Sequence, residues 1–246
     1  MKFHVVTIFP EMFDSYIKES ILGRAAENKI ISVKFYNPRD FIKAPKNNYR
    51  PVDDKPYGGG PGMVMRAEPI LKAVEAAVRK IKNKKSKILI INFIPSAQKF
   101  TTDSAKKISK KYTDIILICG RYEGIDARID KILRQAQDKF LKFKVFSIGD
   151  YVLTGGELPA MVLIDSISRQ IPGVLGKYES LEEERVSTSE VYTRPEILKY
   201  TPPGRGKKTK NYKVPKVLLS GNHKLIEDWK KENNPLILLD KKNKRE

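Results

Sequence analysis

The sequence predicts an α/β fold with a parallel sheet, and three observations predict it. Segments of β type alternate with segments of helical type along the first two thirds of the chain. The inner β segments are continuous apolar runs, as strands covered on both faces are, and do not alternate as half-exposed strands do. The helical segments between them carry one apolar stripe each, the pattern of helices laid on a sheet.

Taken in order, residues 2–9 are rich in β-formers and end at Pro10, and residues 12–19 read as a helix followed by Gly23. Residues 30–37 alternate and stop at Pro38; a loop rich in Pro and Gly then runs to Gly62. Over residues 69–82, Ile70, Val74, Val78 and Ile81 share one helical face. Residues 87–93 form a short apolar strand, and Thr102 is placed to cap a helix reaching Lys111. Residues 114–119 are a second buried strand, Ile125, Ile129, Ile132 and Leu133 mark a helix, and residues 145–148 are a third strand. Residues 157–168 are apolar on most sides and predict a buried helix. General connectivity rules add an unknotted path. After Arg169 the character changes: residues 172–189 have few apolar side chains and a cluster of Glu, and read as a linker. From Tyr192 the pattern reads as a small helical C-terminal domain, with Asn222 capping a helix on which Leu225, Ile226 and Trp229 share a face.

Composition narrows the function classes. The 246 residues carry 48 Lys and Arg against 29 Asp and Glu, a formal charge of +19, which favours a polyanionic partner. Residues 82–87 and 205–216 are lysine-rich, and no acidic residue occurs between Ile197 and Ile226. One cysteine, Cys119, excludes an internal disulfide and a cysteine-rich zinc site. It ends an apolar run and reads as a small buried hydrophobe. His4 lies in a strand-like segment and His223 at a helix start, so neither looks like half of a catalytic pair. No apolar run approaches the roughly 20 residues of a membrane span, and the N-terminus is unlike a signal peptide; the expected compartment is the cytoplasm.

Four segments are too specialised for scaffold. Residues 52–63 hold four glycines in five positions, Gly58, Gly59, Gly60 and Gly62, without the Gly-Lys-Ser/Thr ending of a P-loop. Residues 119–126, Cys-Gly-Arg-Tyr-Glu-Gly-Ile-Asp, sit where a buried strand meets a helix, the edge at which open α/β sheets bind ligands. Residues 147–159, Ser-Ile-Gly-Asp-Tyr-Val-Leu-Thr-Gly-Gly-Glu-Leu-Pro, follow the third strand; Tyr151, Val152 and Leu153 offer an apolar slot for a flat ring. Residues 163–176 place Arg169 at the end of an apolar helix. Singly, each has a bland explanation: a flexible loop, an ordinary turn, or a helix-terminal cation favoured by the macrodipole.

In that order, and with Ile8-Phe9-Pro10-Glu11-Met12-Phe13 before them and Leu218-Leu219-Ser220-Gly221-Asn222-His223 after them, the chain closely resembles the bacterial tRNA (guanine-N1)-methyltransferases of the SPOUT class. The resemblance covers nearly the whole chain. It implies a deep trefoil knot over about residues 90–160 in place of the unknotted default, a SPOUT domain over 1–171, a mobile linker over 172–189 and a tRNA-binding domain over 190–246. It implies S-adenosylmethionine as methyl donor, a homodimer with the active site at its interface, and tRNA as substrate, modified at guanosine 37 just 3′ of the anticodon. By the same resemblance Gly120, Ile148, Gly149, Asp150, Tyr151, Val152 and Leu153 hold the cofactor, Gly155, Gly156 and Pro159 complete the adenine pocket, Glu123 lies near the methionine end, and Arg169 is catalytic. Some members depend on Mg²⁺; this sequence shows no dedicated carboxylate cage.

The chain departs from the family at several points. The base is usually an Asp followed by Ser and Phe; the equivalent position here is Glu184, with Glu183 beside it. Glu keeps the carboxylate and adds a methylene, and a displacement of about 1 Å can cost on the order of a hundredfold in rate. Lys55 replaces the usual Arg, the strand end at residues 92–97 differs, with Ala97 where Gly is common, and insertions fall at about 134–144 and 202–213. Guanine N1 is protonated and becomes nucleophilic only when a base removes that proton; Glu184 is the expected base, and Arg169 the cation for the charge that develops on O6. The expected linker closes over the substrate as lid loops do. Other readings are a SPOUT enzyme with another target nucleotide, an idle RNA-binding homologue and a generic nucleotide-binding module; a methyl-transfer assay separates the first two, and the last lacks its phosphate loop.

Overall fold

The computed structural model describes residues 1–43, 49–175 and 190–233. The chain divides into two units, Met1–Tyr178 and Glu179–Glu246.

In the first unit five strands form one sheet in the order β2-β1-β6-β5-β7, all neighbours parallel: β1 (Lys2–Val6), β2 (Ser32–Tyr36), β5 (Ile88–Phe93), β6 (Asp114–Ile118) and β7 (Leu141–Phe146). The central strand β6 is buried at every residue. Ile115 and Leu117 pack into the layer that holds Leu163, Ile164 and Ile167 of α6 (Glu157–Ser168) and Ala105 and Ile108 of α4 (Thr102–Lys111). Ile116 and Ile118 point the other way, against Ile70, Val74 and Ala77 of α3 (Ala67–Lys80) and Ile129 and Leu133 of α5 (Arg128–Gln135). Period-two alternation of an all-apolar strand thus serves two cores, which is why these strands read as continuous runs.

Each expected strand and helix of this unit is present, with shifted ends. β1 stops at Val6, where Thr7 turns the chain: its Oγ1 accepts the Phe9 N–H at 3.0 Å. Residues 10–17 are a 3₁₀ turn (Pro10–Phe13) leading into α1 (Asp14–Ile17), followed by α2 (Ser20–Glu27). Thr101, not Thr102, caps α4, accepting the Ser104 N–H at 3.3 Å. β7 begins at Leu141, earlier than expected, because Asp138 accepts the N–H groups of Phe140 and Leu141, each at 2.7 Å, and turns the chain there. The insertion at 134–144 is therefore the end of α5, this turn and the start of β7. The long loop after Pro38 contains a two-residue ladder, β3 (Asp53–Asp54) on β4 (Val64–Met65). The helix expected to be buried is buried on one side only: Leu158 and Val162 of α6 are exposed in the single chain.

His4 is buried and bonded to Asp114 at 3.2 Å through Nε2 and to Tyr36 at 3.2 Å through Nδ1. Burial lowers its pKa against the pull of Asp114, so it is a neutral core histidine.

The second unit corrects the expectation of a small helical domain, because a hairpin precedes its helices. Its described part is an antiparallel hairpin, β8 (Ile197–Tyr200) on β9 (Lys210–Lys213), then α7 (Lys216–Leu219) and α8 (His223–Glu232). Pro202, Pro203, Gly204 and Gly206 preclude a helix here and supply a turn between two β-prone runs. Asn222 does cap α8, accepting the Leu225 N–H at 3.3 Å.

Candidate functional site

Three adjacent strands, β6, β5 and β7, end side by side, and the segments leaving them converge on one cavity of about 430 Å³. That volume lies within the range of small-molecule sites. Segment 94–100 runs beside the end of β7, with Ile94 N–H on Phe146 O (3.1 Å) and Phe100 N–H on Ser147 O (2.7 Å). Segment 119–127 leaves β6 and is tied to the glycine loop: Glu123 N–H bonds Met63 O, and Met65 N–H bonds Gly124 O. Segment 147–156 leaves β7 and returns to the end of β6, where Gly156 N–H donates to Gly120 O at 2.8 Å.

That return is possible only because residues 155 and 156 lack side chains. A Cβ on Gly156 would stand 2.7 Å from Cys119 Cα and 2.9 Å from Gly120 N, both backbone atoms, and one on Gly155 would meet the Arg121 and Glu157 side chains. Close packing of a helix start on a strand end, not an unusual φ, is what these glycines provide. The 58–62 cluster differs: Gly58, Gly59, Gly60 and Gly62 all have positive φ.

A buried polar cluster fixes the same junction. Glu157, at the start of α6 and 1% exposed, accepts the Thr7 hydroxyl at 2.8 Å through Oε1. Its Oε2 lies 2.9 Å from Arg121 Nε, an ion pair off the axis of a well-aligned hydrogen bond. The Arg121 guanidinium is in turn 4.8 Å from the Phe9 ring centroid, and its Nη2 donates to Met12 Sδ at 3.0 Å. The N-terminal Phe-Pro-Glu-Met segment is thereby locked to the site from more than a hundred residues away. Burial and the nearby Glu157 carboxylate push the Cys119 thiol well above its ordinary pKa, so it stays protonated and is not a nucleophile.

Ten of the eleven expected cofactor residues line the cavity: Gly120, Glu123, Ile148, Gly149, Tyr151, Val152, Leu153, Gly155, Gly156 and Pro159. Asp150 does not; its carboxylate faces outward and pairs with Lys99 at 2.5 Å. Arg169 is not among the lining residues either, lying ten residues beyond Pro159 along and just past α6, on the order of 15 Å away. Glu183 and Glu184 fall outside the described residues. Among the lining residues that sequence reasoning did not assign to the site are two polar ones, Asn92 and Asp130, which are joined by a 2.9 Å bond from Asn92 Nδ2 to Asp130 Oδ1. A lone Asn ending an otherwise apolar strand was the available signal. Among the described residues no group of three or more His, Cys, Asp or Glu side chains could hold a metal ion.

Fold and site together define an α/β protein with a cavity of small-molecule size at the carboxyl ends of parallel strands, the edge at which such sheets bind ligands. The comparisons carry this further. The family model of tRNA (Guanine-1)-methyltransferase TrmD matches residues 1–243, and the chain belongs to that family. A tRNA (guanine-N(1)-)-methyltransferase of Clostridioides difficile (strain 630) is 44% identical over 244 residues, covering 98% of this chain and 96% of that protein. Proteins of the same name from Buchnera aphidicola and Dictyoglomus turgidum are each 43% identical over 232 residues, covering 93% and 94% of this chain and 87% and 84% of theirs.

Proposed function

We propose that this chain transfers the methyl group of S-adenosylmethionine to N1 of guanosine 37 in tRNA. The observation that carries the reading is the convergence of ten family-matched residues on one cavity at the ends of β6, β5 and β7. The residues fit the donor. Ile148, Tyr151, Val152 and Leu153 give an apolar wall for adenine, the glycine-rich backbone of 147–156 gives amides and carbonyls for its ring nitrogens, and the Glu123 carboxylate suits the ammonium of the methionine moiety. When bound, the donor supplies a methyl on a sulfonium, already activated toward a nucleophile.

The remaining task is to make guanine N1 nucleophilic. Glu184, or its neighbour Glu183, removes the N1 proton, and Arg169 stabilises the negative charge that shifts to O6. Arg169 is remote from the cavity of its own chain, which favours an active site shared by two copies. The face of α6 that carries Arg169 also exposes Leu158 and Val162, and beside it stand exposed Phe9, Met12 and Tyr16, the last donating to Asp165. An apolar surface of this kind suits a homodimer interface. The strand order supports a knotted path over about 90–160: the chain passes from β6 across β5 to β7, then returns to the end of β6 through the Arg121–Gly155 bridge. In this reading residues 1–171 are the methyl-transfer domain, 172–189 the linker that brings the base, and 190–246 the tRNA-binding domain. No helix among the described residues is long and apolar enough to cross a membrane, in keeping with a cytoplasmic enzyme acting on tRNA.

Calorimetric titration with S-adenosylmethionine tests the site itself. The chain should bind with saturation, and Leu153→Asp, which sets a carboxylate into the apolar wall, should weaken binding by on the order of a hundredfold. Equal affinity in the variant would place the donor elsewhere.

A further inference from the structure

The hairpin of the second unit is the most charge-biased element of the protein. Residues 197–213 carry six cations, Lys199, Arg205, Lys207, Lys208, Lys210 and Lys213, and no carboxylate. All are exposed, and no carboxylate among the described residues pairs with them. An isolated two-stranded ribbon is marginal in water, and crowding like charges on it costs more still. A ribbon of this charge is stabilised when a polyanion lies against it.

The register says which polyanion. Directly opposed residues of an antiparallel pair share a face. Leu198 opposite Tyr212 and Tyr200 opposite Lys210 therefore form one face, and Ile197 opposite Lys213 and Lys199 opposite Asn211 form the other. Two tyrosines stand diagonally on the first face, about 7 Å apart, beside a lysine; rings so placed can stack on bases or sugars while the cation meets a phosphate. The two aliphatic residues are split between faces, so neither face is the apolar surface that entry into a bilayer needs. At the tip, Arg205, Lys207 and Lys208 follow one another around Gly204 and Gly206, and a 2.7 Å bond between the Thr201 and Thr209 hydroxyls closes the neck below them.

We propose that this hairpin is an RNA-gripping arm, in which the tip cations hold phosphates of the tRNA and the Tyr200–Tyr212 face packs on its bases or sugars. The inference rests on the proposed tRNA substrate and adds to it the element and the side chains that hold the RNA outside the reaction site. In this reading the arm serves affinity, and the chemical step belongs to the cavity of the first unit.

The test uses the full chain with Arg205, Lys207 and Lys208 all changed to Gln, and unmodified tRNA in a filter-binding assay across a range of salt, with methyl transfer measured in parallel. Each phosphate contact contributes about 0.7–0.9 to the salt slope of log K. The triple variant should bind tRNA roughly tenfold more weakly near physiological salt, with the slope reduced by about 2–3, an unchanged affinity for S-adenosylmethionine and an unchanged kcat at saturating tRNA. A second variant, Tyr200→Ala with Tyr212→Ala, should weaken binding and leave the slope as it is. A triple variant with wild-type affinity and slope overturns the arm. So does loss of binding to phosphatidylserine vesicles with tRNA binding intact, which assigns the cations to a membrane surface. A wild-type chain that transfers no methyl, while the triple variant loses tRNA affinity, overturns the activity and leaves the arm standing.

Discussion

Glu184→Gln should lower kcat by on the order of a thousandfold and leave S-adenosylmethionine binding unchanged. Positioned general acid–base groups contribute about 10² to 10⁴ in rate, and the N1 proton of guanine leaves no nucleophile until it is removed. Gln retains the size and hydrogen-bonding reach of Glu but cannot take a proton at neutral pH. Glu183→Gln provides the paired measurement: if Glu184 is the base, this variant keeps most of the rate. The reverse pattern would move the base by one residue, and full activity in both would remove the linker carboxylates from the chemistry. Glu184→Asp is informative in the other direction. It restores the residue usual in the family, and a rise in kcat would mean that the longer side chain holds the carboxylate away from its best position.

Gly156→Val should abolish cofactor binding and lower the melting temperature. The first atom of the new side chain would already sit 2.7 Å from Cys119 Cα, so α6 must move away from the end of β6. Overpacking of a tight junction costs roughly 1–3 kcal/mol, and the displacement would break the 2.8 Å bond from Gly156 N–H to Gly120 O and shift Glu157 off Thr7 and Arg121. The 147–156 wall and the start of the 119–127 wall meet at that junction. A Gly156→Val chain with wild-type affinity would mean that the return of 147–156 to β6 does not shape the site. Thermal melting measured beside calorimetry separates a shifted cavity from a chain that fails to fold.

Much of the first unit was legible because its signals are local and redundant. Ile115 through Ile118 read as a buried strand from four residues, and the four-residue apolar period of α3 survives any error in its ends. Gly120, Gly149, Gly155 and Gly156 marked the cavity because close backbone approach leaves few residue types possible. What the sequence hid depends on distant partners. Nothing near Thr7 announces that it donates to a carboxylate 150 positions later, nor that Arg121 rests on Phe9. Asp150 sat inside a motif whose neighbours line the cavity, yet strand-end geometry turns it outward to Lys99. The hairpin's two strands were not legible: residues 202–213 stand out only as a basic insertion in a helical domain, although Pro202, Pro203 and the flanking tyrosines and threonines spell turn and strand.

The most direct test of the central claim is transfer of labelled methyl from S-adenosylmethionine to two unmodified tRNAs that differ only at position 37, guanosine in one and adenosine in the other, with the labelled nucleoside identified after digestion. The expected result is 1-methylguanosine from the first and no label in the second. Label in both, or in a nucleoside other than 1-methylguanosine, would contradict the assigned target; no label in either, from a chain that binds the donor, would contradict the assignment of this chain as an active enzyme.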